Sequence, residues 1–464
     1  MAIFIRDKSF YRTLARLAIP IALKNLITLS VGLADNVMVG SLGEAAISGA
    51  YMANQPTNLL QTVVADVATA MTILATQYWG KRETEPIKKI VGIGFKISMI
   101  LAIAAFTMGF FFTETTLRLY TPDAAIIAEG AKYLKIISIG YLFFCATETL
   151  VASMRCVESV RIGLVLSCST FVINIGLNYI LIFGKLGFEP MGIRGAAIAT
   201  LTARVVEFIV ISVYVRVIDK KLRMKFRELI FSRAGVLFKD FLRYGIPVIL
   251  GGVVWGLNMN VQAVIIGHLD SIAATSSITV ANTVFSILTV LVYGTSAAAA
   301  IIIGKTVGEG KVELVKQYAK TLQMIFFLFG LVSGSLIFCS RYVVGYIWSG
   351  LDAETIAMVK QFLLVLSVTS VGSSYQACTL TGIVRAGGAT SFVFRNDLFW
   401  VWCVVIPSAA IAAFVFHAEP VVVFALLKGD QIYKCAVALI KTNRFKWIKT
   451  LTRESDELAA KPEQ

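Results

Sequence analysis

Runs of about twenty apolar residues recur along this chain from end to end. Each is long enough to cross the hydrocarbon core of a bilayer as a helix. About twelve can be marked: Leu14–Gly40, Ala46–Tyr78, Ile90–Phe112, Ile126–Ser153, Ile162–Phe183, Met191–Val217, Phe241–Gly267, Ile272–Ile303, Leu322–Cys339, Ile356–Gly382, Phe392–Phe416 and Val421–Ile440. Backbone groups inside lipid must find their partners within the protein, so only helices and closed barrels can span it. A barrel would show short alternating strands instead of long continuous runs. The pattern therefore predicts an all-α polytopic membrane protein. Composition agrees: 57% of residues are hydrophobic and 15% charged, where a soluble domain carries about a quarter charged.

The net charge of +15 raises the question of nucleic acid, and its distribution answers it. Lys and Arg gather in alternate loops: Lys81, Arg82, Lys88 and Lys89 after span two, Arg155 and Arg161 after span four, and Arg216 to Arg243, Arg233 included, around span six. Lys305, Lys311, Lys316 and Lys320 follow span eight, Arg385 and Arg395 follow span ten, and Lys441 to Arg453 form the tail. The opposite loops, Ser41–Glu44, His268–Ser271 and His417–Pro420, carry no Lys or Arg. This is the positive-inside pattern, with both termini cytoplasmic. The basic loops are suited to anionic lipid headgroups and no nucleic-acid partner is expected. The first span is too long for a cleaved signal peptide. The seven Cys and two His show no metal-ligand or disulfide spacing, so no metal or cofactor is expected.

The longest basic connector, residues 219–239, has the look of an interfacial amphipathic helix. It separates an N-terminal lobe of six spans (1–218) from a C-terminal lobe of six (240–441), followed by a cytoplasmic tail (442–464). The halves echo each other. Leu14–Leu23 resembles Phe241–Leu250 and sets Pro20 against Pro247; Val39–Leu42 matches Ile266–Leu269; Gly80 pairs with Gly308 and Arg155 with Arg385. With an even number of spans per half, the repeat is parallel: two six-helix bundles about a pseudo-two-fold axis along the membrane normal. That is a recognised transporter design, with rocking between inward and outward states.

Within this apolar chain Asp35 stands out. A carboxylate at bilayer depth costs at least ~2.5–3.5 kcal/mol even on lenient scales, and such residues mark ion or proton paths. In the repeat register it falls opposite Gln262, so the ionisable group exists in one half only. Asn174 and Asn178, four apart in span five, share one helix face. In span six Thr200 and Thr202 follow Gly195-Ala196-Ala197, small residues that let helices approach closely. Asp35, the two amides and a hydroxyl form a candidate ion-coupling cluster for H⁺ or Na⁺. Span two carries a polar stripe, Asn54, Asn58, Thr62 and Asp66 with Gln61 beside it, suited to the wall of a wet cleft. Asn282 lies on the corresponding span eight. Arg204 and Glu207, three apart, are placed to pair with each other. Lys24 and Glu148 read as structural or gating residues. Pro20 removes a backbone donor from the first helix, a place for bending.

These residues resemble the MATE (multidrug and toxic compound extrusion) transporters. The resemblance rests on "AIPIAL" and "GLADNVMVG" in span one, "INIGLNYILIFG" in span five, "MGIRGAAIAT" entering span six and "GIVRAGG" near span ten. It runs from about Leu14 to Lys441. It implies two six-helix lobes and export of amphipathic, often cationic drugs against an inward ion gradient, with lipids as surroundings and a monomer as the working unit. It places the coupling acid at Asp35, its amide pair at Asn174 and Asn178, the hydroxyl at Thr200, the bending proline at Pro20 and a cleft tyrosine at Tyr133. The NorM-like branch carries acids in spans seven and ten, where this chain has Trp255 and about Ser374, so the pattern is nearer the DinF-like branch and proton coupling. The implied location is the bacterial inner (plasma) membrane.

No GxxxxGK[ST] loop is present to draw on ATP, and no nucleophile elbow or Cys/His pairing indicates an enzyme. The rival readings are Na⁺-coupled antiport, a lipid-linked oligosaccharide flippase with a cationic cleft, and a channel.

Overall fold

The computed structural model describes residues 5–232, 235–269, 272–348 and 351–454. Arg233, Asp270, Ser271 and the tail beyond 454 lie outside the described residues. Among those described there is no strand. Among the described residues eleven helices are long and apolar enough to cross a membrane: α1 (Lys8–Gly40), α2 (Ala45–Gly80), α3 (Thr84–Phe111), α4 (Ala124–Cys156), α5 (Arg161–Phe183), α6 (Ile193–Ile218), α7 (Val236–Gly267), α8 (Ser276–Gly308), α9 (Val312–Ile347), α10 (Ala353–Arg385) and α11 (Thr390–Phe414).

The twelfth expected span, Val421–Ile440, is not one helix. It is divided into α12 (Pro420–Leu427) and α13 (Asp430–Asn443), with a turn at Lys428 and Gly429. Three ionisable residues, Lys428, Asp430 and Lys434, lie within a stretch whose average hydropathy had marked it as a simple crossing. In the linker, Phe226–Phe231 form a short helix and α7 begins at Val236; Lys96 of α3 donates to the Ser232 carbonyl at 2.7 Å. The tail is not wholly free: Trp447 is fully buried, and Arg453 makes a two-point ion pair with Asp240 at 2.6 and 2.8 Å.

The chain forms two compact units, Leu23–Gly245 with Arg453–Gln464, and Ile246–Thr452 with Met1–Ala22. In the first, α4 is the hub, packed on α2, α3 and α6, while α5 packs on α6. In the second, α10 plays the same part against α8, α9 and α13. The fourth span of each half is thus the centre of its own bundle, as a parallel repeat requires. Helix α1 contributes to both units: its first part, with Pro20, belongs to one and Asp35 to the other. It runs unbroken through Pro20.

Small residues set the approach of the helices that carry the polar cluster. A side chain at Gly195 would meet the Leu181 carbonyl oxygen of α5 at 2.7 Å. Helix α5 ends at Gly184 in the left-handed conformation (φ 66°), and the Met191 N–H then returns to the Leu181 carbonyl at 2.9 Å. This short return lays α5 and α6 side by side, antiparallel. We expect Gly195→Val to force them apart by its bulk alone and to lower the thermal midpoint, overpacking of this kind costing about 1–3 kcal/mol. An unchanged midpoint in a thermal-shift assay would refute the close crossing.

Candidate ion-coupling site

The antiparallel pair α5/α6 presents two matching polar faces. On α5, Thr170, Asn174 and Asn178 recur every four residues; on α6, Thr200, Arg204 and Glu207 occupy one face. The faces meet in register. Thr170 Oγ1 donates to Glu207 Oε1 at 2.5 Å, and Asn174 Nδ2 donates to Thr200 Oγ1 at 3.2 Å. Asn178 Nδ2 reaches both Asn174 Oδ1 at 3.2 Å and Asp35 Oδ1 of α1 at 2.5 Å. Asp35, Asn178, Asn174 and Thr200 are therefore one hydrogen-bonded chain over three helices. Thr202 is not part of it; its hydroxyl turns back to the Ile198 carbonyl at 2.8 Å.

Asn174 and Asn178 are buried (1% and 0% exposed), so they form the back of the site. In front lies a cavity of about 300 Å³. Asp35 and Thr200 border it, as do Asn54, Asn58, Gln61 and Tyr133 from the expected cleft set. The Tyr133 hydroxyl sits beside Thr200 and Asn54, within the field of Asp35. Thr62 and Asp66, the inner end of the stripe on α2, do not border it. Asn282 belongs to the other unit, and Pro20 likewise.

The sequence reading missed the aromatic wall. Tyr51, Tyr141 and Phe144 border the cavity, and the Tyr141 hydroxyl is hydrogen-bonded to Thr57 at 2.8 Å. Tyr133, Tyr141 and Phe144 are spaced by eight and three residues, which puts them on one helical face; that spacing was the available signal.

Charge in and around the cavity is distributed unevenly. Arg204 is paired with Glu207 at 2.9 Å, as their spacing predicts. Lys24 is paired with Glu148 at 2.8 Å. Arg204 and Lys24 therefore each have a carboxylate. Asp35 has no cation within ion-pair distance among the described residues and rests on one amide group. Beside it, the Asn178 carbonyl oxygen is buried with no hydrogen-bond partner. Such an orphan is costly at depth. A carboxylate without a counter-ion beside an unused amide oxygen is an arrangement that a small cation completes. A proton on Asp35 would supply a donor for that oxygen after the amide turns over. Na⁺ would instead use the carboxylate, amide and hydroxyl oxygens as hard ligands.

In the second unit, Trp255 is exposed and Ser374 buried, with no acid at either place. Carboxylates nearby in this unit include Asp397 of α11 and Asp430 of α13. Both are held by the ammonium of Lys434, at 2.9 and 3.0 Å. The two carboxylates share this one built-in cation.

The MatE family model matches residues 20–180 and 247–434, two segments that open on Pro20 and Pro247. The chain is 24% identical to the probable multidrug resistance protein NorM of Thermotoga maritima, over 96% of this chain and 95% of that protein. It is 22% identical to the multidrug resistance protein MdtK of Yersinia enterocolitica, over 94% and 95%. A solved outward-facing multidrug resistance MATE family transporter of the MOP superfamily superposes with a TM-score of 0.83 at 18% identity, covering 94% of this chain and 96% of that one.

Proposed function

Because the chain belongs to the MatE family of multidrug and toxic compound extrusion transporters, we propose that it is a secondary active efflux antiporter, exporting amphipathic cationic compounds in exchange for H⁺ taken up on Asp35. The observation that carries this reading is the carboxylate that lacks a counter-ion in a cavity where Arg204 is already taken. The cavity's lining charges, Asp35, Arg204 and Glu207, sum to one negative charge when Asp35 is ionised. That favours a cationic drug. Protonation removes it and favours release. Aromatic walls from Tyr51, Tyr133, Tyr141 and Phe144 suit planar amphiphiles, and few fixed polar anchors make for loose specificity.

Each remaining residue has a part in this cycle. Asn178 and Asn174 carry the change at Asp35 across to Thr200 on α6. Asn54, Asn58 and Gln61 line the drug's way in the first unit, and Asn282 serves the same purpose on α8. Pro20 lies close to the point where α1 passes from one unit to the other, the place where a bend would change both. The protein works as a monomer in the bacterial inner membrane, with both termini in the cytoplasm as the basic loops direct. The two lobes comprise residues 1–218 and 240–441, joined by 219–239.

The orphaned Asn178 oxygen favours a second reading, Na⁺ in place of H⁺. The lack of a second acid among the described residues lining the Asp35 cavity, apart from Glu207, which is paired with Arg204, weighs against it, as does Asn at position 178 where a further charge would help to hold the metal. A lipid-linked oligosaccharide flippase is disfavoured, since its pyrophosphate needs free cations and the cavity's Arg204 is engaged by Glu207. The deciding experiment is efflux of a fluorescent organic cation from proteoliposomes. We expect a pH gradient alone to drive it and a Na⁺ gradient alone to fail. The reverse result would replace the proton with Na⁺, and failure of both gradients would end the antiport reading.

A further inference from the structure

The second unit contains a polar network that this ion cycle does not use. It is built on the break between α12 and α13. The Lys428 N–H still closes on the Phe424 and Ala425 carbonyls, so α12 ends with its backbone satisfied, and the side chain is left to reach across to α7. There its ammonium donates to Gln262 Oε1 at 3.1 Å, and Gln262 Nε2 donates to Asn258 Oδ1 at 3.0 Å. Gln262 and Asn258 are each 5% exposed. The Phe424 ring lies 5.5 Å from the ammonium.

This chain of groups has a makeup like that of the first unit, although its amide pair lies on α7, the counterpart of α1, and not on the counterpart of α5. Gln262 occupies the repeat position of Asp35. Asn258 and Gln262 are four apart on α7, as Asn174 and Asn178 are on α5. In one unit an i,i+4 amide pair ends on a carboxylate without a cation. In the other it ends on an ammonium without a carboxylate. The acids near Lys428 lie beyond ion-pair distance of it: Asp430 and Asp397 share Lys434, and Asp430 also accepts from Gln431 at 2.9 Å. Lys428 is partly buried rather than sealed. A broken helix whose free groups line a polar site is how transporters bring charge to a substrate within the membrane.

We propose that Lys428 is the seat of a second binding site, one that takes the carboxylate of an amphiphilic substrate, so that zwitterionic compounds are bound in preference to their esters. Depth identifies the source of the anion. Helix α12 has eight residues, so Lys428 lies about 12 Å along its axis from Pro420. A lipid phosphate stays at the surface of a hydrocarbon core about 30 Å thick, whereas a dissolved carboxylate drug can travel to that depth. The C-terminal end of α12 helps to keep the ammonium charged. This inference rests on the efflux reading, since it names the chemistry of what is carried.

The test uses the full-length protein in phosphatidylcholine nanodiscs, with empty nanodiscs as the blank. The probes are rhodamine B, which has a free carboxylate, and its ethyl ester, which has none; binding is followed by fluorescence anisotropy. One charge-assisted hydrogen bond gives about a tenfold preference for the acid, and that is the expected result. Lys428→Gln lowers the acid's affinity to that of the ester, Lys428→Arg retains the preference, and benzoate displaces the acid from the unaltered protein. Equal binding of acid and ester by the unaltered protein overturns the inference and leaves the efflux reading standing. So does a preference that survives Lys428→Gln, or one erased by adding phosphatidylglycerol, which would give Lys428 to a lipid. Failure of both probes to bind overturns the inference and the efflux reading together. If Lys428→Gln does not fold, the benzoate competition on the unaltered protein decides alone.

Discussion

Asp35→Asn is expected to reduce gradient-driven efflux in proteoliposomes to the level of empty vesicles while leaving the protein folded and well expressed. The two expectations come from the same fact. The substituted amide cannot ionise, so no proton can be exchanged across the cycle. It is nearly the same shape, so Asn178 Nδ2 keeps an acceptor where Asp35 Oδ1 now lies at 2.5 Å. The charge that is removed costs about 2.5–3.5 kcal/mol at bilayer depth on insertion scales, and no cation in the cavity recovers that cost. The variant should therefore have a thermal midpoint at least as high as the unaltered protein. Loss of transport with a raised or equal midpoint separates an ion-coupling acid from a structural one, because a structural acid would lose both. Drug binding should also cease to depend on pH, since the one free carboxylate of the cavity is gone. Sustained efflux in the variant would remove Asp35 from the mechanism.

The parts of this site that were legible in the sequence are those written in local spacing. Asn174 and Asn178 at i,i+4 do lie on one face, and Gly195 does bring α6 against α5. Arg204 and Glu207 at i,i+3 do pair. Spacing alone did not separate Thr200 from Thr202, because two polar residues on one helix differ only in azimuth and the neighbour decides which is used; the choice of Thr200 came from the family resemblance. Partners distant in the chain were hidden for a different reason. Lys24 and Glu148 are 124 residues apart, and no periodicity connects them. Lys434 and Asp397 sit on different helices in the same way. The broken twelfth span shows the limit of hydropathy averaging. Val421–Leu427 is apolar enough to outweigh Lys428 and Asp430 in any window of twenty residues. Yet Lys-Gly-Asp within an apolar run is itself a signal: glycine allows the turn, and the flanking charges have reason to seek partners away from lipid.

Arg204 is paired with Glu207 while Asp35 has no cation at ion-pair distance, and that gives the second large effect. Arg204 lies on the face of α6 that bears Thr200 and borders the same cavity as Asp35. Its guanidinium is satisfied by Glu207 at 2.9 Å, with Thr170 bonded to the other carboxylate oxygen. Glu207→Gln removes the charge and leaves Arg204 with Asp35 as the available carboxylate of the cavity. The new pair would hold Asp35 ionised, so efflux should fall about as far as in Asp35→Asn. Stability should fall as well, unlike in that variant. Breaking one side of a buried pair costs about 3–5 kcal/mol, and the low end applies because the Arg204 side chain is 24% exposed. Adding Arg204→Met should reverse both losses. It removes the stranded cation, returns Asp35 to its amide, and replaces a buried ion pair by groups whose net cost is near zero. Efflux and thermal midpoint of the single and double variants form one measurement. A double variant no better than Glu207→Gln alone would show that the pair serves transport directly and not by keeping Arg204 away from Asp35.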